Sequence, residues 1–187
     1  MVQVGEIHYY ERPGPRNTDD VINAAARRAR HLGIRQVVVA TSHGRSALTA
    51  RAAFDPEVRV IAVTHSASYY REGWTPTEEE RRRMLDAGLE IVTTTHALAN
   101  DVSEAMGGGG LAPNRIACDM LCCFSQGMKV AVEVSVMAAE AGRLDMGSDA
   151  IAIGGTGAGA DTAIVVRPAY AREFARLKIR EVIGMPR

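Results

Sequence analysis

Short apolar runs alternate with stretches in which apolar residues recur every three or four positions, almost from end to end of the chain. That alternation predicts an α/β fold of three layers, with helices on both faces of a mostly parallel, mixed sheet. A short strand is expected near Ile7. Asn17 or Thr18 then caps a helix whose Val21, Ala25, Ala29 and Leu32 share one face, and Gly33 ends it. Residues 36–41 read as a buried strand, 45–53 as a helix and 58–64 as the next strand. In Thr75-Pro76-Thr77-Glu78, Thr75 caps a further helix, Pro76 lies in its first turn and Glu78 returns the capping bond; Gly88 stops it.

Residues 89–94 predict another strand and residues 97–106 a helix. The four glycines 107–110 cannot hold regular structure cheaply, so a mobile loop is expected there. Residues 113–124 and 129–141 read as two helices; Val130, Val132, Val134 and Val136 alternate as in a strand, but length and the alanine-rich end decide for helix. The last third reads as a strand over 150–154, a Gly-rich loop, a strand over 163–167, a short helix over 169–177 and a final strand over 179–184. Strands joined by so short a loop are antiparallel neighbours, which makes the C-terminal edge of the sheet mixed. A chain of 187 residues without repeats is expected to form one domain.

Composition changes this picture little. Hydrophobic residues make up 47% and aromatics only 5%, so the core is aliphatic. The 22 Lys and Arg balance the 22 Asp and Glu, and with no basic face a nucleic-acid partner is not expected. The first residues lack the pattern of a signal peptide, and no apolar stretch approaches the roughly 20 residues of a membrane span. A soluble, cytoplasmic protein without a membrane partner is the expectation. Cys118, Cys122 and Cys123 are too few and too close for a disulfide framework, and they are read as core residues.

Chemistry-bearing residues gather where strands end. Thr41, Ser42, His43, Gly44, Arg45 and Ser46 follow one predicted strand, Thr64 and His65 the next, and Thr95 and His96 a third. Hydroxyls and histidines commonly satisfy strand ends and helix caps, so no single one of these is diagnostic; three such loops at one sheet edge point to a site. Residues 41–46, between a strand and a helix start, combine backbone donors, hydroxyls and one cation, which suits a phosphate without being a Walker loop. Gly154, Gly155, Thr156, Gly157, Gly159, Asp161 and Thr162 form a second Gly-rich element. Its spacing approaches a dinucleotide fingerprint, yet a strand rather than a helix follows, which excludes a Rossmann reading. Either it folds over a ligand or it is a plain glycine hairpin.

These segments resemble a known family. Residues 37–47, Val60-Ile61-Ala62-Val63-Thr64, Asp149 to Gly155 with its Gly-rich loop, and Asp161 to Val166 look like the C-terminal α/β domain of pyruvate kinase in content and order. His8-Tyr9-Tyr10-Glu11-Arg12-Pro13-Gly14, Arg71-Glu72-Gly73 and Gly184-Met185-Pro186-Arg187 are more specifically similar to small stand-alone archaeal and bacterial proteins of that type. In kinases that respond to sugar phosphates, the loops matching 41–46 and 154–162 hold effector phosphates, so the resemblance implies a small phosphorylated ligand here. The kinase barrel has no counterpart in the chain, and phosphoenolpyruvate chemistry is therefore not expected. Stand-alone members also resemble binders of flavin mononucleotide (FMN). Arg45 alone is too little charge for a sugar bisphosphate, and small residues replace the effector loop's Arg- or Trp-rich stretch, which favours one phosphate on a larger neutral body. The resemblance thus implies an FMN protein, with a flavin-dependent oxidoreductase, whose catalytic residues the sequence does not name, as its enzymatic form; the alternative is a non-catalytic phosphometabolite sensor. Loss of a kinase's remainder would leave a docking face, so a homo-oligomer is expected.

Three features stay open at this level. Glu133 sits in an apolar helix, where it either faces the site or, as read here, partners the helix dipole from the first turn. Tyr69, Tyr70 and Trp74 either stack on a flat ligand or cover a subunit contact. His43, His65 and His96 lie on different loops without short ligand spacing, so no metal is expected.

Overall fold

The computed structural model describes residues 2, 4–99, 101–107 and 112–187. Seven strands form one sheet: β1 (His8–Tyr10), β2 (Gln36–Ala40), β3 (Arg59–Thr64), β4 (Glu90–Thr93), β5 (Ala150–Gly154), β6 (Thr162–Arg167) and β7 (Lys178–Pro186). Their order is β1-β7-β6-β5-β2-β3-β4. All neighbouring pairs are parallel except the two made by β6, so the antiparallel step falls at the C-terminal side as expected. The first strand is displaced from Ile7 to His8, because it is defined by parallel pairing of His8 with Gly184 in β7.

The helices are α1 (Thr18–Leu32), α2 (Arg45–Ala53), α3 (Glu78–Asp86), α4 (Val102–Met106), α5 (Pro113–Cys122) and α6 (Gln126–Glu140), with three short 3-10 turns between elements. Side chains alternate across each strand, and both faces are covered. Val37 and Val39 of β2 and Ile151 and Ile153 of β5 pack with Ala25 of α1 and Ala47 of α2. Val38, Ala150 and Ala152 pack on the opposite face with Ala131, Val134 and Ala138 of α6. Double coverage is why the central strands read as unbroken apolar runs rather than as alternation. In α6 the alternating valines belong to a helix that buries nearly its whole circumference.

Several expected details move. The capping box lies two residues later, with Glu80 N–H donating to Thr77 Oγ1 (3.2 Å) and Thr77 N–H donating to Glu80 Oε2 (2.8 Å). Thr77→Ala is expected to cost about 1 kcal/mol of stability, read as a lower chemical-denaturation midpoint. The helix expected over 97–106 shrinks to α4. Leu98 and Ala99 donate their amides to Glu133, and Leu98 O accepts from Asn114 Nδ2 and Cys118 Sγ, so side chains hold these backbone groups. Asn17 occupies the cap position of α1, but its side-chain amide donates to Arg12 O instead of capping. The helix expected over 169–177 is a 3-10 turn, Ala171–Arg176. Only Cys118 is buried; Cys122 and Cys123 are exposed, which corrects their assignment to the core. Of the four-glycine loop, residues 108–110 lie outside the described residues.

Candidate functional site

From β2 the chain runs outward through β3 to β4, whereas β5 lies on the other side of β2. Where strand order reverses, the loop after β2 leads into α2 while the loop after β5 turns back as a hairpin into β6, and the carboxyl ends of these two parallel strands leave a crevice between them. A cleft of about 750 Å³ opens there, bounded by the loop after β2, His65 and Tyr69 after β3, His96, the first turns of α6 and the glycines after β5. That volume falls in the roughly 300–1,000 Å³ range of small-molecule sites.

One end of the cleft suits an anion. Gly44 is the N-cap of α2 and supplies no side-chain cap, so the amides of the first turn lack an intrahelical acceptor. Its φ of 89° and the Met84 side chain beside it leave no room for a Cβ. Gly44 N–H donates to Thr41 Oγ1 at 3.0 Å, which closes the turn. Arg45 is exposed at the rim and makes no ion pair among the described residues, while Ser46 is buried below it. His43 turns toward α3, its Nδ1 3.1 Å from Glu80 Oε2.

The glycine loop faces this end. Asp161, wholly buried, accepts hydrogen bonds from Gly14 N–H (2.9 Å), Thr156 N–H (3.1 Å) and Thr162 Oγ1–H (2.9 Å). Thr18 Oγ1 accepts from Ala160 N–H at 2.9 Å. These bonds fasten the loop to the entry of α1, and Gly155, Gly157 and Gly159 then line the cleft.

The other end is aromatic and titratable. Tyr69 lies between Trp74 and His96, with ring centroids 5.3 Å from each, and His65 stands 5.5 Å from all three. Tyr70 points to solvent and takes no part. Below the rings, Lys129 Nζ donates to Glu133 Oε2 at 2.6 Å, and Glu133 Oε1 accepts the amides of Leu98 and Ala99 at 3.0 and 3.1 Å. Helix α6 begins at Gln126, so Glu133 lies two turns inside and is not the first-turn dipole partner that the sequence suggested.

Burial lowers the pKa of both His65 and His96. The neighbouring His96 and, more weakly, His43 and Lys129 reinforce this at His65 against Glu133, whereas Glu133 outweighs Lys129 at His96. An unfolded histidine then takes up a proton at a higher pH than either folded one. Stability is therefore fully present above the ordinary value of 6.5 and is lost as pH falls through the lowered folded values. A urea midpoint that drops on acidification is expected, with a shallower drop in a His65→Gln/His96→Gln variant.

Of the residues singled out by sequence, the cleft brings together Thr41, Ser42, His43, Arg45, Ser46, Thr64, His65, His96, Gly155, Gly157 and Gly159. Thr64 is buried, its Oγ1 2.7 Å from Thr93 Oγ1. Gly44, Thr95, Gly154, Thr156, Asp161 and Thr162 do not line it: Thr95 is exposed beside it, Gly44 shapes the turn, and the rest build the glycine loop and its seat. Sequence reading missed the wall supplied by α6, where Gln126, Lys129, Val130, Glu133, Val134 and Met137 follow one helical stripe. The available signal was a Lys-Glu pair four residues apart inside an otherwise apolar helix.

Residues 19–166 match the family model described as pyruvate kinase, alpha/beta domain. Among solved structures, the Cryptosporidium parvum pyruvate kinase in complex with ADP is similar at 15% identity and a TM-score of 0.41, over 81% of this chain. The chain spans 24% of that kinase's length. No described helix is long and apolar enough to cross a membrane, and no group of three or more potential metal ligands occurs among the described residues.

Proposed function

The chain belongs to the pyruvate kinase α/β-domain family, and from that premise we propose that its cleft binds a phosphorylated cofactor, flavin mononucleotide. The observation that carries this reading is the joining of two unlike ends in one cavity. An uncapped helix start with Arg45 contributes one part of the lining, and the Trp74–Tyr69–His96 stack with Val130, Val134 and Met137 of α6 contributes another.

The donor set fits the group. The first-turn amides of α2, Arg45, Ser46 and the glycine-loop backbone would hold a single phosphate, in keeping with one rim cation. The α6 side chains and the outer edge of the aromatic stack would hold a planar ring. When bound, a flavin supplies electron transfer; the chain binds, orients and shields it. The same reading makes a flavin-dependent oxidoreductase the enzymatic possibility to test.

A titration followed by flavin absorbance and fluorescence tests the proposal. Saturable one-to-one uptake is expected, and a protein that takes up no flavin would contradict it. Stabilisation by a phosphometabolite without flavin uptake would instead favour a sensor that uses the anion end alone. Self-association is also proposed, because α5 exposes Ile116 and Met120 and is followed by exposed Phe124. Light scattering should give a multiple of the chain mass, and a monomer would count against it.

A further inference from the structure

Phosphate binding leaves the Lys129–Glu133 pair unused. The Lys129 side chain is only 10% exposed and that of Glu133 6%, yet both line the cleft. An ammonium has three donors. One goes to Glu133, and the other two meet no acceptor among the described residues. Glu133 in turn is fixed by the two backbone amides of 98 and 99, so the pair cannot swing out to solvent. Packing alone does not call for such a pair, since apolar replacements of buried ion pairs are often neutral or stabilising.

Resting on the flavin reading, we propose that Lys129 receives a ring carbonyl oxygen of the ligand, the pyrimidinedione edge of the flavin, and so fixes which edge of the ring enters the cleft. The surroundings select that chemistry. Glu133 already balances the Lys129 charge, so a second phosphate would bring uncompensated charge into a buried place. A carbonyl oxygen fills a vacant donor without adding a full charge. Val130 and Val134, on the same helical stripe, suit the flat faces of such a ring.

The test compares FMN and riboflavin on wild type, Arg45→Ala and Lys129→Met. Because Lys129→Met leaves the buried Glu133 unpaired and so endangers folding, the double variant Lys129→Met/Glu133→Gln, which keeps a side-chain oxygen for the amides of 98 and 99, carries the decision. Loss of a charge-assisted hydrogen bond should weaken both ligands about ten- to a hundredfold in the double variant, whereas Arg45→Ala should weaken FMN alone. The visible absorption band of the bound flavin should also move in the double variant and stay in place in Arg45→Ala, a change that a purely structural pair would not produce. Unchanged affinity and an unmoved band in a folded double variant would overturn the assignment of Lys129 and leave the flavin reading standing. Failure of wild type to bind either flavin would overturn both.

Discussion

Lys129→Met is expected to lower folding stability by about 3–5 kcal/mol, because it removes one member of a buried ion pair and leaves the other without its counter-charge. Glu133 would keep the amides of Leu98 and Ala99 but lose the ammonium 2.6 Å away, in a site where its side chain is 6% exposed. Either the carboxylate stays charged at high cost or it takes up a proton, and stability suffers in both cases. Adding Glu133→Gln should restore most of the loss, since the amide is neutral and still presents an oxygen to the two backbone donors. Urea denaturation of the single and double variants reads this directly. Equal stability of Lys129→Met and wild type would mean that the pair is solvated rather than buried.

Gly154→Ala is expected to cost about 3 kcal/mol, the upper end of what overpacking does in a tight core. A Cβ at Gly154 would run into Gly127 O and Ala131 N, both backbone atoms of α6, which cannot turn aside as a side chain can. The strand or the helix must therefore shift. Because Gln126, Lys129 and Val130 of the cleft lie on that first part of α6, ligand affinity should fall together with thermal stability. A variant that keeps the wild-type melting temperature would show that β5 and α6 have slack at this contact.

Gly154 also shows how far the sequence could be read. Its place at the end of an apolar strand and before a Gly-rich loop was legible, as was the antiparallel return through β6. That its missing side chain serves a helix contact was not, because the partner backbone lies about two dozen positions away in sequence and only the folded sheet brings it near. Strands β2, β3 and β5 were legible because both their faces are covered, so apolar runs leave no competing period. Leu98 and Ala99 misled for the opposite reason: their backbone bonds go to Glu133, Asn114 and Cys118, which no local pattern encodes. At the site, residues 41–46 were legible as a strand-to-helix turn whose donors are local. The α6 wall was hidden, because expecting that helix to begin at 129 rather than Gln126 put Glu133 in its first turn and concealed the stripe it shares with Lys129.

In the proposed binding mode, the uncapped start of α2, with Arg45 at its rim, would take the phosphate of a ligand whose body lies along α6. Titrating FMN and riboflavin against wild type and Arg45→Ala tests it most directly. Wild type should prefer FMN. Arg45→Ala should lose about 1.5–3 kcal/mol, roughly one to two decades of FMN affinity, with no change toward riboflavin and little change in stability. Equal affinity of wild type for the two ligands, or undiminished FMN binding by Arg45→Ala, would contradict a phosphate site at this turn.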